Sequence, residues 1–587
     1  MPALQRLIDR GTMATVASAE PLTRETLLTT LATGLLPDRH GVLGPLQIRA
    51  DGGGVEATGR RSWQAAAFWE VLEAAGIRTA CIDWPATAPA IRWPGIHVDD
   101  RFTIPSGTGF DTWNVPPGCV SPPGLEADLA DLRLHPADPL GPEVMAFVPG
   151  APGADPAMAA RLAQVGAMVA RAGTTHAAAA HIAATPDWDV LCVAYDLLHL
   201  AKLAFMAEPA GGLFDGVIGQ ACALLDMMLG RLVALAGEGA TVMVVSPNGL
   251  SPAAGNTASA RPRGMMVVAG PGIAADALLP GARLVDIAPT LLARYGLSLA
   301  CDGAVLTPLT IHAPAPRPAP ELPGIPAGDE PDPALALIAL GYVDTVSVAQ
   351  QRAMADAEAA RLLTLGIALT ARGQHRAAAA ALEAASAHSP DNIGILRRLA
   401  RCRVLLGEYA ACLALGRRLL AIDTFSPWGH LILASWAALG AAPADPEPYL
   451  VSARALGGDQ PEVLVRIGGL ELLRHGYDAA AEDFTSALAI DPDLGEAAYG
   501  LGVANLGRGD PLAAELWMRR AIAIEHNQPL AHWQLGAILA GQNRLREAAL
   551  SLETALAQNP GEAEIVAALD SLRQYLAAAV IVSAGPA

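Results

Sequence analysis

Residues 467–500 read IGGLELLRHGYDAAAEDFTSALAIDPDLGEAAYG, and residues 501–534 read LGVANLGRGDPLAAELWMRRAIAIEHNQPLAHWQ. Set one above the other, both open on an apolar residue followed by Gly468 or Gly502. Ala480 and Ala514 lie at one further shared position, Ala487 and Ala521 at another. The same spacing of 34 runs outward through Gly366, Ala400, Ala434 and Gly536, each preceded by leucine: Leu365, Leu399, Leu433 and Leu535. Ala378, Cys412, Pro446 and Ala548 repeat the first offset, and Ala385, Leu419, Ala453 and Ala555 the second. A fixed period of this length marks stacked units, each burying its apolar face only against its neighbours.

The pattern resembles a tetratricopeptide (TPR) repeat array of six units plus a capping helix at 562–576, spanning 357–576. The resemblance implies paired antiparallel helices: the small residues allow close approach, and Pro390, Pro492 and Pro560 stop second helices. In the third unit Pro443, Pro446 and Pro448 fall where a second helix begins, so that helix is expected to start late or be distorted. Such an array implies a concave groove for a protein or peptide segment. The groove positions are Arg397, Arg401, Trp428, Tyr499 and Trp533, with Leu363, Ile367, Leu431, Val503 and Leu530 beside them. This mostly apolar set fits an amphipathic or extended apolar segment. Upstream, the proline-rich stretch 313–333 reads as an extended linker that packs neither as helix nor sheet, followed by a connecting helical segment at 334–356. A tail follows at 577–587.

Composition sets the outer limits. The chain has 587 residues, 52% hydrophobic and 17% charged, with mean hydropathy +0.33. No run of about 20 uninterrupted apolar residues is found, so no membrane span is expected. The opening MPALQRLIDRGTMATVAS lacks the apolar core of a secretory signal. There are 19 basic against 28 acidic residues through His312, and 20 against 30 beyond it. Neither half matches nucleic-acid phosphates. Seven scattered cysteines without CxxC spacing argue against a disulfide framework and for a reducing, cytoplasmic location.

In residues 1–312, apolar strands alternate with helical stretches: RTACIDW (78–84), VLCVAYD (190–196), TVMVVS (241–246) and GMMVVAG (264–270), with helices near 213–237 and 284–296. That alternation predicts a parallel α/β sandwich with its site at the strand ends. In order, LATGLLPDRHGVLG (31–44), VAYD (193–196), LLDMMLGRLVAL (224–235), VVSPNG (244–249), RPRGMMVVAGPGI (261–273), VDIAPTLLARYGL (285–297) and ALGYV (339–343) resemble the alkaline phosphatase superfamily. The branch is that of type I phosphodiesterases and nucleotide pyrophosphatases. The expected fold is an alkaline-phosphatase-like three-layer sandwich with a mostly parallel sheet. Bacterial members of this branch carry tetratricopeptide repeats, so the two halves support each other.

The resemblance implies two metal ions, commonly zinc, that activate a Thr or Ser nucleophile. An Asp ending an opening strand comes first. The chain begins at MPALQRLIDRG, which corresponds to the stretch just after that strand, so strand and Asp are expected to be missing, through a late start codon or loss of an edge element. At the nucleophile position stands Arg24, with Thr23 and Thr26 beside it. An Asp-x-x-x-His pair corresponds to His199 and Leu203, an Asp-His-Gly turn to Pro247, Asn248 and Gly249, and a further His to Ala260. Every one departs from the pattern. The expectation is a catalytically degenerate domain needing no cofactor, joined to an interaction array. The alternative is an active phosphodiesterase or phosphatase with zinc or another divalent metal at a rebuilt site. Asp196, His199 and Asp83 are its candidate ligands, with Asp99 and Asp100 nearby. Each has an ordinary structural use as well: Thr23 and Thr26 as helix cap and first-turn residues, the Asp side chains as caps, and His199 as a packed side chain.

Overall fold

A computed structural model of the chain describes residues 1–18, 23–49, 54–90, 95–104, 113–135, 144, 146–149, 156–249, 263–310, 313–320, 348–440, 444–559 and 563–583. Backbone contacts divide the chain after Pro390. In the first unit the strands of the two larger sheets are β1 (Gly11–Ala17), β2 (Thr79–Trp84), β3 (Ile96–Asp99), β4 (Val120–Ser121), β5 (Val190–Val193), β6 (Val242–Ser246), β7 (Arg263–Ala269) and β8 (Ala277–Leu278). The helices that cover them are α1 (Pro2–Asp9), α2 (Arg24–Thr33), α3 (Phe68–Ala74), α4 (Pro156–Ala183), α5 (Leu197–Phe205), α6 (Val217–Ala236) and α7 (Ile287–Arg294).

These strands form two four-stranded sheets, ordered β8-β1-β7-β6 and β4-β3-β2-β5. β2 pairs in parallel with β3 and β5. β7, however, runs antiparallel to both β1 and β6, so the expected mostly parallel sheet is a mixed one in two pieces. Sequence gives no hint of this, because strand direction depends on where a partner lies and not on local propensity. β1 was not among the expected strands; its GTMATVA pairs along its full length with β7.

Alternation along each strand splits the core into layers. Val16, Met266, Val268 and Cys192 pack with α2, α3 and α7 through Leu27, Trp69 and Leu292. On the other face, Ala80 and Ile82 meet Ala178 and Ile182 of α4, while Val267 and Ala269 meet Leu7 of α1. Burying each such side chain stabilises by about 1.5–3 kcal/mol. The three layers correspond to the expected sandwich. Gly34, at φ 69°, closes α2 in the left-handed region while its N–H bonds Thr30 O.

α6 has 20 residues and is, by length and composition, apolar enough to cross a bilayer, although Asp226 and Arg231 interrupt its apolar run. Here Asp226 is buried and accepts from the backbone N–H groups of Ala3 and Leu4 at 2.9 and 2.8 Å.

The linker boundary moves too. Arg317–Pro318 pairs in parallel with Leu297–Ser298, and Ala319 N donates to Ser298 O at 2.9 Å. The stretch is thus partly sheet: the N–H groups of Arg317 and Ala319 carry the ladder, and Pro318 needs none. Residues 321–347 lie outside the described residues. The first repeat pair, α8 (Val348–Ala371) and α9 (His375–His388), begins nine residues before the expected start at 357. It belongs to the first unit: α8 packs beside Pro37–His40 and the hairpin Leu46–Ile48/Val55–Ala57, and Arg372 pairs with Asp38 and Asp302 at 3.4 and 3.0 Å.

The second unit continues as α10 (Ile393–Leu405), α11 (Tyr409–Ile422), α12 (Pro427–Leu439), α13 (Glu447–Gly457), α14 (Pro461–Leu473) and α15 (Tyr477–Ile490). After these come α16 (Gly495–Gly507), α17 (Pro511–Ile524), α18 (Pro529–Gly541), α19 (Leu545–Gln558) and α20 (Ala563–Ser583). The 34-residue period has a steric cause. A Cβ on Gly468 would meet Phe484 at 2.9 Å, on Gly502 Met518 at 2.8 Å, and on Gly536 Leu552 at 2.8 Å. Each partner lies on the second helix of the same pair, so a larger residue would force the helices apart. α13 starts late, at Glu447 after Pro446, and has 11 residues against 14 in α11 and α15. The capping helix α20 runs on to Ser583, into the expected tail.

Candidate functional site

The carboxyl ends of the strands carry a closed set of charges. β2 bulges at its end: Ile82 pairs with Val98 and Trp84 with Asp99, leaving Asp83 as an extra residue at φ 53°. Trp84, edge-on to Trp69 at 4.9 Å, pins the strand beyond it. The bulge turns the Asp83 carboxylate toward α4, where Thr175 Oγ1 donates to it at 2.7 Å.

Beyond β5, Asp196 opens α5 but does not cap it through its side chain. One carboxylate oxygen instead pairs with the Arg24 guanidinium at the start of α2, the other with Arg171 of α4 at 2.7 Å. Arg24 also reaches the backbone oxygen of Asp83 at 3.4 Å. The three side chains are 13%, 18% and 4% exposed for Arg24, Arg171 and Asp196, so water screens them little. Burial pushes the Asp83 carboxyl up to about 7, with repulsion from Asp196 adding to it and Arg171 and Arg24 opposing. Asp100, whose carboxylate accepts from Ala86 N at 2.9 Å, is pushed up to about 6 by burial and by Asp99. Asp99 is held by Arg101 at 2.7 Å.

The remaining sequence candidates fall around this network in different roles. Thr23 is the N-cap of α2 and accepts from Thr26 N at 3.4 Å. Thr26 is 1% exposed, its hydroxyl 2.7 Å from that of Thr23, so it presents no open nucleophile. His199 stands in the first turn of α5; burial lowers its pKa, against the pull of Asp196. Leu203 points outward, 72% exposed. The Pro247–Gly249 turn is gripped through its carbonyls: Ser18 donates to Pro247 O, Ser246 Oγ to Asn248 O at 2.9 Å, and Lys202 Nζ to Gly249 O at 3.1 Å. Ala260 lies outside the described residues.

This donor set does not fit a divalent ion. Asp83, Asp196 and His199 gather at one rim, but two guanidiniums stand among them and consume the Asp196 oxygens. Among the described residues no three of His, Cys, Asp and Glu converge as a metal site. Sequence reasoning passed over Arg171 and Thr175. Their signal was faint: a polar pair four apart, hence on one helical face, within an alanine-rich stretch.

His40 is fully buried. Its Nδ1 accepts from Val42 N at 3.1 Å, which places the proton on Nε2, 3.0 Å from Thr30 Oγ1. Burial lowers its pKa to about 3, so the ring is a neutral clamp on the turn after α2.

In the second unit the groove candidates separate into patches. Arg397 lies 3.3 Å above the Trp428 ring and bonds Glu462 at 3.3 Å, with burial lowering its pKa to about 10. Arg401, one turn on, is exposed. Leu431 is core, 4% exposed. Tyr499 is half-buried, and Trp533 lines a concavity of 430 Å³ with Ala540, Leu545, Leu552, Ala568 and Leu572.

Comparison with known proteins agrees with this division. Residues 1–261 match the family model for type I phosphodiesterase / nucleotide pyrophosphatase. Residues 369–434 and 469–529 match two tetratricopeptide repeat models. The first part of the chain thus matches the phosphodiesterase type, within the alkaline phosphatase superfamily, and the second part matches tetratricopeptide repeats, the order of a fusion of the two. No curated protein matches it. Among solved structures, a thermophilic TPR protein of Thermus thermophilus is 21% identical, covering 37% of this chain and 99% of that one, with TM-score 0.25. The yeast Tom70 structure is 13% identical over 41% of this chain and 50% of that one, with TM-score 0.33. The first TPR of Spaghetti (RPAP3), bound to an HSP90 peptide, is 24% identical over 20% and 93%, with TM-score 0.20.

Proposed function

We propose that this chain is an interaction protein: the repeat array binds a protein or peptide segment, and the phosphodiesterase-like domain serves as a non-catalytic docking body that holds no metal. The observation that carries this reading is the Arg24–Asp196–Arg171 cluster at the strand ends. Two buried cations there repel a divalent ion, and the one carboxylate that faces both is already spent on them. The array supplies the recognition surface. Stacked Arg397 and Trp428 present a flat amphipathic ledge, and Trp533 an apolar concavity, both suited to an extended or amphipathic segment with apolar anchors. The scattered cysteines favour a reducing, cytoplasmic setting.

The test has two arms. Full-length protein is incubated with zinc or manganese and nitrophenyl phosphate mono- and diesters. No turnover above the buffer rate is expected; metal-dependent turnover lost in Asp196→Ala would overturn the reading in favour of a hydrolase. In the second arm, full-length bait captures partners, and Trp428→Ala and Trp533→Ala are expected to lose the segment that wild type retains. Equal capture by all three proteins would move recognition out of the groove.

A further inference from the structure

The second helices of the last two repeat pairs turn leucines to solvent. Leu512 and Leu516 of α17 are 73% and 65% exposed, and Leu550 of α19 is 66% exposed. Leu512 and Leu516 are four apart, so they share one face of α17. Leu516 and Leu550 are 34 apart and hold the same place in successive pairs. Packing does not require leucine there. One pair earlier, in α15, the two places hold Asp478 and Glu482, both exposed. In the pairs before that they hold Arg376 and Ala380, Ala410 and Ala414, then Ala444 and Pro448. Arg546 takes the first place in α19. Among the described repeats, large apolar residues occupy these outward places in α17 and α19 alone.

Four charged side chains tie the same two helices together. Glu515 pairs with Arg519 at 2.9 Å and with Arg544 at 2.7 Å. Glu547 pairs with Arg544 at 2.6 Å and with Arg519 at 3.3 Å. Each cation thus meets both anions, and the ring carries no net charge. Leu516 follows Glu515 directly, and Leu550 lies one turn beyond Glu547, so the leucines flank this ring. The balance holds across 511–558, with four arginines against four glutamates. Residues 391–510 carry ten arginines against fifteen acidic residues, and the whole chain stands at −19.

We propose that Leu512, Leu516 and Leu550 form the centre of a twofold contact between two copies of this chain. A twofold interface sets a patch against itself, so the patch must not repel its own image. Exposed leucines beside a neutral ring meet that condition, and the acidic remainder of the array does not. The ring is paired within itself and offers no net charge by which to select a basic or an acidic partner. Leu512 and Leu516 also stand along an i, i+4 ridge, the row that interdigitates when two like helices cross. Three leucines a side make a small contact, so association depends on concentration, with Kd about 10–100 µM. The patch lies on second helices, whereas Trp428 and Trp533 stand on first helices, so it does not depend on the repeat groove.

Sedimentation velocity of the full-length chain, from about 1 µM to about 200 µM, tests this. The weight-average mass is expected to rise from 60.3 kDa toward twice that value and to level off there. The double variant Leu516→Glu/Leu550→Glu is expected to keep the monomer mass throughout. It is expected to fold, since Glu482 already occupies the same outward place in α15, and unchanged far-UV circular dichroism is the check. Leu516→Ser/Leu550→Ser, which adds no charge beside the ring, is expected to raise Kd at least about tenfold. Leu203→Glu, which replaces an equally exposed leucine of the first unit, is expected to associate as wild type does. Wild type that stays monomeric at the highest concentration overturns the proposal. So does a dimer that both double variants leave intact, or one that Leu203→Glu abolishes equally. Mass that climbs past two copies marks a head-to-tail contact and overturns the twofold assignment.

Discussion

Asp196→Asn is the sharpest perturbation of the strand-end cluster. The substitution keeps shape and volume but removes the one charge that faces both Arg24 and Arg171. Removing one partner of a buried ion pair costs about 3–5 kcal/mol, because the stranded charge remains buried. Two features place the loss at the low end, about 3 kcal/mol: the guanidiniums keep some access to water, and Asp83 can ionise in compensation. In the wild type Asp196 helps hold the Asp83 carboxyl up at about 7; without it that pKa falls. Acidification from pH 8 to pH 5 therefore protonates Asp83 and stabilises the wild type, whereas the variant, whose Asp83 is raised less, gains less, so the deficit is larger at pH 5. The assay is urea unfolding followed by tryptophan fluorescence, since Trp63, Trp69 and Trp84 lie in the core of this unit. A loss under about 1 kcal/mol at both pH values would refute the view that Asp196 neutralises two buried cations.

Three further outcomes are expected. His40 has a folded pKa near 3 against an ordinary 6.5, so the unfolded chain takes up its proton first and stability falls as pH drops below 6.5. Between pH 8 and pH 5 the wild type should lose about 2 kcal/mol relative to His40→Gln in denaturant titrations; a constant difference would show a ring that titrates normally. A Cβ on Gly500 would sit 2.3 Å from the Phe484 ring, so Gly500→Ala should cost about 1–3 kcal/mol in wild type and little or nothing in a Phe484→Ala background. Additive losses in that double-mutant cycle would deny the contact. Arg397→Lys keeps the charge but loses the flat face over Trp428, and should weaken capture of the groove's partner about as much as Arg397→Ala does; full retention would make the stack irrelevant to binding.

Some of the architecture is legible residue by residue. Helix pairs repeat because a small residue meets a bulky one within the hairpin, as at Gly366, Gly468, Gly502 and Gly536, a constraint local enough to leave a period of 34. Four strands announce themselves as short β-branched runs, and Pro446 foretells the late start of α13. The Arg24–Asp196–Arg171 cluster is different. Its members lie on α2, at the start of α5 and on α4, far apart in the chain, and no local pattern links them.

The sequence by itself determined the two-part plan, the repeat period, the strand-helix alternation and the departures at Arg24, Pro247 and Ala260. Those features rest on local propensity, steric size or side-chain chemistry, each written in a single residue or a short window. Tertiary structure alone decided that β7 runs antiparallel, that the strands divide into separate sheets, and that two arginines converge on Asp196. Pairing direction and convergence are relations between distant segments, set when their backbones seek hydrogen-bond partners and their buried charges seek opposites.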